Sequence, residues 1–183
     1  MSKIGIIGAM ELEIETLKEK MNITKTANKA NMDFFEGTLN GTDIVLVKCG
    51  IGKVNAGICA QILAGNFGVT HIINTGVAGS LDAKIDIGDM VVSTDLVEHD
   101  MDTTAFGDPL GQVPRMDTFS FPADGELVKK AVLANEEANP DIKTFTGRIV
   151  SGDQFVSSPD VKDKLVENFG AKCTEMEGAA IAH

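Results

Sequence analysis

Two acidic clusters stand where carboxylates could do chemistry. In the first, Cys173-Thr174-Glu175-Met176-Glu177 runs into Gly178-Ala179-Ala180-Ile181-Ala182-His183, an acid pair followed by small residues that allow close packing. Lys172 to Glu175 reads as the end of a strand and Gly178 to His183 as the first turns of a helix, so Glu175 and Glu177 flank a strand-to-helix junction. Ligands of open α/β sheets bind at the carboxyl ends of strands, where Glu177 could meet a polyhydroxylated or cationic group. Acids in a first helical turn are also favoured by the helix dipole alone. In the second cluster, Glu11, Glu13 and Glu15 share a helix whose apolar face is Met10, Ile14, Leu17 and Met21. Glu13 falls about 70° from the centre of that face, nearer than its neighbours. It either serves the core side or extends along the flank to solvent.

Other stretches invite chemistry less convincingly. Glu98-His99-Asp100-Met101-Asp102 has the residue types of a metal site, but no matching His or Cys cluster elsewhere would complete the shell, and a solvated acidic strand end is the better reading. Gly50-Ile51-Gly52-Lys53-Val54-Asn55 looks like a phosphate loop and fails both tests. A Walker loop needs Ser or Thr where Val54 stands and Gly where Val47 stands, and the dinucleotide fingerprint needs Gly or Ala where Asn55 stands. No nucleotide cofactor is expected. Gly76-Val77-Ala78-Gly79-Ser80 is a run of small residues that lets backbone amides approach a ligand, or is a plain loop. Asp153-Gln154-Phe155-Val156 sets an aromatic at a strand's carboxyl end, as a ligand-facing ring or as a core anchor for the loop.

The elements that must position these residues follow from periodicity. Lys3 to Gly8 is a buried-strand pattern, and Ala9 to Met21 is the helix that carries Glu13. Phe34 to Leu39 and Thr42 to Cys49 flank Asn40-Gly41, a strong signal for a two-residue hairpin turn. A helix spans Lys53 to Asn66, a strand Val69 to Thr75, and one bent strand or a strand pair Ile85 to Leu96, broken near Gly88-Asp89. Thr103 to Pro122 has no period but is rich in Phe, Pro, Leu and Met, and so apolar a loop is expected to cover a ligand or a partner subunit. Asp124 caps a helix running to Glu137, Thr144 to Gly152 is a strand, and Ser158-Pro159 opens a helix running to Asn168. This order predicts an α/β fold, a mixed sheet with helices on both faces, in one domain over residues 1–183.

The bulk properties narrow the partners. A hydrophobic share of 43% against 23% charged residues describes an ordinary globular chain with a real core. A net charge of -11 repels nucleic acid and anionic membrane, which leaves a small ligand or another protein. Cys49, Cys59 and Cys173 are odd in number and set in apolar surroundings, as expected of reduced thiols in the cytoplasm. No signal-peptide core or membrane-length run is present.

Four segments, Gly5-Ile6-Ile7-Gly8-Ala9-Met10-Glu11-Leu12-Glu13, Asn74-Thr75-Gly76-Val77-Ala78-Gly79, Ser151-Gly152-Asp153-Gln154-Phe155 and Thr174 to His183, come in the order and at the intervals of a known family. The chain resembles the bacterial 5′-methylthioadenosine/S-adenosylhomocysteine nucleosidases. The resemblance implies a phosphorylase/hydrolase-like three-layer α/β/α sandwich with a central mixed β-sheet, a homodimer, and neither cofactor nor metal. It further implies hydrolysis of the N-ribosidic bond of adenine nucleoside thioethers in methionine salvage, with 5′-deoxyadenosine as a further candidate substrate. Glu13 matches the carboxylate that activates water, Glu177 the ribose ligand, and Met176 the residue along the sugar, with Glu175 and Met10 beside them. Phe155 matches the ring that stacks on adenine and Val156 the backbone that reads the purine edge, while Val77, Ala78 and Gly79 match the close-backbone segment. Phe106 and Pro114 resemble residues that reach across the dimer to wall the alkylthio pocket.

This chemistry suits the residue types, because cleaving a bond from ribose to nitrogen builds positive charge on the sugar and requires an activated water. Val77 departs from the serine often found there. The family's leaving-group acid, an aspartate beside an arginine and a serine, belongs to a later strand, loop and helix of roughly 30 residues or more, beyond His183. The 183-residue stretch by itself is therefore expected to bind nucleoside weakly and turn it over poorly. Two alternatives stay open, a phosphate-dependent nucleoside phosphorylase and a non-catalytic nucleoside-binding protein. A phosphorylase would need a Gly and Arg cradle near the first strand, where Glu11, Glu13 and Glu15 stand instead.

Overall fold

Ile4–Gly8, with no charge to solvate, forms strand β1 at the heart of the first sheet of a computed structural model that describes residues 2–183. Helix α1 (Glu11–Lys20) follows, then β2 (Asn22–Lys29), β3 (Met32–Leu39), β4 (Thr42–Lys48), α2 (Lys53–Phe67) and β5 (His71–Asn74). These strands pair in the order β2-β3-β4-β1-β5. β1 runs parallel to both neighbours, Ile4 opposite Ile44 on one side and His71 on the other, while β2, β3 and β4 are antiparallel. The chain divides into two compact units, and this sheet belongs to the one that ends at Val77.

Alternation along β1 shows how this unit is layered. Ile6 packs with Ile14 of α1, with Met21 just after that helix, and with Ile44 and Leu46. Gly5, one residue away and so on the opposite face, leaves a gap in which an added Cβ would sit 3.0 Å from Leu63 of α2. One helix therefore covers each face. Phe34 stacks on Phe67 at 4.8 Å between ring centroids, on the α2 side.

The second unit, from Ala78, repeats the plan. Its elements are β6 (Gly79–Ser80), β7 (Met90–Glu98), β8 (Phe121–Pro122), α3 (Gly125–Ala138), β9 (Thr144–Ser151), α4 (Pro159–Phe169), β10 (Cys173–Glu175) and α5 (Gly178–Ala182). The sheet order is β6-β10-β9-β7-β8, with β7, β9 and β10 parallel and the short edge strands antiparallel. Val97 and Val150 pack against Leu165 and Phe169 of α4, whereas Leu96 turns to the other face toward Gly178 of α5. The α/β fold with mixed sheets expected from the sequence is present, and its strands form two five-stranded sheets, one in each unit.

Local signals explain the boundaries. Asp124 caps α3 by accepting from the Glu126 and Leu127 amides, and Pro159 opens α4. β2 went unread in the sequence because it is polar and exposed, and because its turn into β3 uses Ala30 and Asn31, both at positive φ (49° and 62°), with no glycine to mark it. Residues 85–89, read as possible strand, form turns ahead of β7. All three cysteines are buried, and burial pushes the Cys59 and Cys173 thiols up to about 12. Among the described residues no helix is long and apolar enough to cross a membrane.

Candidate active site

In the first unit the parallel pair β1 and β5 delivers two loops to the same sheet end. Thr75 donates its amide to Ile7 at 2.9 Å, the last rung before the chains part. Glu13, half-buried in the first turn of α1, fills the space beyond. Its Oε2 accepts the amides of Ala9 and Met10 at 2.7 and 2.9 Å, and its Oε1 accepts the Val77 amide at 3.0 Å. A carboxylate offers about four acceptor positions, so one remains, on Oε1 beside Val77. Gly76 makes this fit possible, since a Cβ there would stand 2.6 Å from Oε1.

The neighbouring acids behave differently. Glu11 is a surface group bonded to Lys48 and Lys18 at 3.0 and 3.2 Å, and these ammonium groups, Lys48 foremost, hold its carboxyl below the usual range. Glu15 and Glu19 are exposed. Glu13 alone of the four is turned toward a strand end. The Val77 side chain is 71% exposed, and its part in this arrangement is its amide.

In the second unit the parallel pair β9 and β10 does the same work. Glu175 lies opposite Ser151 in the register, and the Ser151 hydroxyl donates to Glu175 Oε1. Glu175 Oε2 accepts the amides of Glu177 and Gly178 at 2.9 and 2.7 Å. Glu175, expected among the substrate ligands, thus directs both carboxylate oxygens at its own chain, because the strand register sets it over the start of α5. Glu177 is the N-cap residue of α5, only 8% exposed, and its side chain makes no capping bond. Met176 is half-buried between the two acids in sequence. Gly79 pairs with Thr174 on the other side of β10, and Ala78 before it is exposed.

The loop after β9 carries the aromatic. Phe155 is 88% exposed, so it is not a core anchor, whereas Val156 packs into the cluster of Val97, Val150 and Leu165. Asp100 Oδ2 accepts the Asp153 amide at 2.9 Å and pins the loop's start. Gly152 is packed so closely on His99 that a Cβ would overlap the ring. Glu98 is buried, with His183 Nδ1 3.2 Å from its Oε1 and the His183 ring stacked on Phe121. The Glu98-His99-Asp100 run therefore braces loops, and among the described residues no three His, Cys, Asp or Glu side chains converge as a metal site.

The apolar loop from Thr103 is organised by Gln112, whose Nε2 donates to the carbonyls of Val113, Met116 and Thr118. Leu110 and Phe119 from this loop turn into the unit's own core, which accounts for part of its apolar character. Phe106, at the end of a single 3-10 turn (Thr104–Phe106), is 88% exposed, and Pro114 is half-buried. Ser151 and Asp100 entered the sequence reading only as members of longer segments, without the roles they have here, and Gln112 did not enter it. A serine ending a strand before glycine is a faint signal, and its meaning depends on the register with Glu175.

In both units, then, acidic side chains are fixed by backbone amides at the carboxyl ends of parallel strands. That end of the strands is where the ligands of open α/β enzymes bind. The family model described as the phosphorylase superfamily matches residues 3–183. A Staphylococcus haemolyticus 5′-methylthioadenosine/S-adenosylhomocysteine nucleosidase is 44% identical over 180 residues, 98% of this chain and 78% of its own length. The Neisseria meningitidis nucleosidase of that name, solved in complex with methylthio-immucillin-A, superposes with a TM-score of 0.94 at 39% identity, covering 100% of this chain and 78% of that one. The Colwellia psychrerythraea nucleosidase, solved with adenine, also gives 0.94, at 43% identity over 99% and 75% of the two chains. The chain belongs to the phosphorylase superfamily and, within it, to the 5′-methylthioadenosine/S-adenosylhomocysteine nucleosidase family.

Proposed function

We infer that the protein is an N-glycosyl hydrolase that cleaves 5′-methylthioadenosine and S-adenosylhomocysteine to adenine and the corresponding thioribose. The observation that carries this reading is the 44% identity to a nucleosidase over 98% of the chain. In the reaction a water adds to the ribose anomeric carbon as its bond to the adenine nitrogen breaks; the bonding electron pair leaves with adenine, which takes up a proton from solvent while the water gives one up. Positive charge grows on the sugar, and a carboxylate nearby stabilises it. Glu13 takes the water's proton, a role supported by the acceptor position left on Oε1 after three amides have oriented the group.

Glu177 receives the ribose hydroxyls, and Met176 lies along the sugar. Phe155 stacks on adenine, a role its exposure supports, and the backbone of Val156 reads the purine edge while its side chain stays in the core. Met10, Val77, Ala78 and Gly79 line the nucleoside with backbone. Phe106 and Pro114 wall the 5′ substituent of a second copy in a homodimer, which supplies a reason for a phenylalanine left 88% exposed. The three buried thiols suit a cytoplasmic enzyme of methionine salvage.

The test is release of free adenine from methylthioadenosine in phosphate-free buffer. Release that begins only on adding phosphate would make the protein a phosphorylase instead.

A further inference from the structure

The start of α5 is held from outside the helix. A helix leaves its first amides without intrahelical partners, and side-chain oxygens near its start commonly accept them. Here Glu175 takes the amides of Glu177 and Gly178, and Ser151 Oγ accepts the Ala179 amide at 2.7 Å. Ser151 is fully buried, and because its oxygen is engaged by Ala179 its proton is directed to Glu175. Three successive amides are thereby satisfied by two residues of adjacent parallel strands. Glu177, the N-cap residue, makes no side-chain capping bond of its own. The same Ser151 leads directly into the loop that bears Phe155.

We propose that Ser151 and Glu175 are positioning residues that aim Glu177 at the ribose diol. The proposal rests on the reading of Glu177 as ribose ligand given above. Neither residue touches the reacting atoms. Their effect is confined to how well the enzyme recognises the 2′ and 3′ hydroxyls, and recognition of the base is untouched by it.

The experiment compares wild type with Ser151→Ala, Glu175→Gln and Glu177→Gln in three measurements: adenine affinity, thermal midpoint, and the ratio of kcat/KM for methylthioadenosine to that for its 2′,3′-dideoxy analogue. Glu175→Gln keeps an acceptor for the two amides and so guards against simple unfolding, but it offers Ser151 an amide donor where a carboxylate was. Expected is a fall of at least about tenfold in the ribose-to-dideoxyribose ratio in all three variants, the value of one misdirected charge-assisted hydrogen bond. Adenine affinity should stay within a few-fold of wild type. Adding Ser151→Ala to Glu177→Gln should lower the ratio no further. A ratio that stays at the wild-type value in Ser151→Ala and Glu175→Gln, while Glu177→Gln lowers it, overturns the positioning role and leaves Glu177 as ribose ligand. A ratio unmoved by Glu177→Gln itself removes the ribose reading, and the positioning role with it. A merely structural role would lower the thermal midpoint without moving the ratio.

Discussion

Glu13 Oε1 accepts the Val77 amide at 3.0 Å, joining residues 64 positions apart in the chain. The bond ties the first turn of α1 to the loop after β5, and both follow strands that pair side by side. The parallel register of β1 and β5 thus sets where the carboxylate stands, and three backbone amides set its orientation. Such preorganisation is what a general base requires.

Replacing Glu13 with Gln should lower kcat by at least about 10², because an amide cannot take a proton from water. Adenine affinity should remain within a few-fold. Since Gln has one acceptor oxygen for three amides, a stability loss of about 1 to 3 kcal/mol should accompany it. Steady-state kinetics with calorimetry and thermal melts separate these effects. Equal losses in binding and rate would make Glu13 a structural residue.

Gly76→Ala should imitate that variant while leaving Glu13 in the sequence. The added methyl would stand 2.6 Å from Oε1 and force the carboxylate away. A fall in kcat approaching that of Glu13→Gln, with adenine affinity retained, is expected. Wild-type kcat in Gly76→Ala would show that the position of Oε1 does not matter to the reaction.

Phe155→Ala should weaken adenine binding by about 1 to 3 kcal/mol, the worth of one stacking face. An 88% exposed ring gives the fold little, so the thermal midpoint should hardly change. Titration calorimetry with adenine checks the first part and a melt the second. Unchanged affinity would remove Phe155 from the site.

Acid should act through Asp95. Burial alone would raise its carboxyl, but the Arg148 guanidinium, with the Ser120 and Thr94 hydroxyls, outweighs burial and holds it below the usual range. Two nitrogens of Arg148 reach Asp95 Oδ2, at 2.6 and 3.0 Å, and a third donates to the Phe169 carbonyl at the end of α4. A carboxyl depressed by folding adds stability above its unfolded value of about 3.9, and the gain is lost as pH falls through the folded value. Asp95→Asn should therefore cost about 1 to 3 kcal/mol at neutral pH. The gap to wild type should close as pH drops below about 4. A gap that is constant with pH would mean that the ion pair contributes nothing.

Much of this was legible in the sequence because β1, β4 and α2 are apolar enough to declare themselves, and Asn40-Gly41 and Asp124 carry their own turn and cap chemistry. Glu13 could be ranked above Glu11 and Glu15 by helical geometry alone. β2 could not be seen, since an exposed edge strand has no buried face to impose alternation. Nor could it be seen that Glu175, and not the chemically identical Glu177 two residues on, takes the amides at the start of α5. It is decided by the pairing of Glu175 with Ser151, a long-range register that no local pattern encodes.

The buried thiols provide a stopwatch for local opening. Cys59 sits in α2 and Cys173 begins β10, so each reports on a different unit, and with both pushed up to about 12 neither reacts appreciably until its surroundings loosen. Pulsed alkylation followed by mass spectrometry would read the two opening rates from a single sample. Ser151→Ala should quicken labelling at Cys173, two residues before Glu175, while the rate at Cys59 stays as it was.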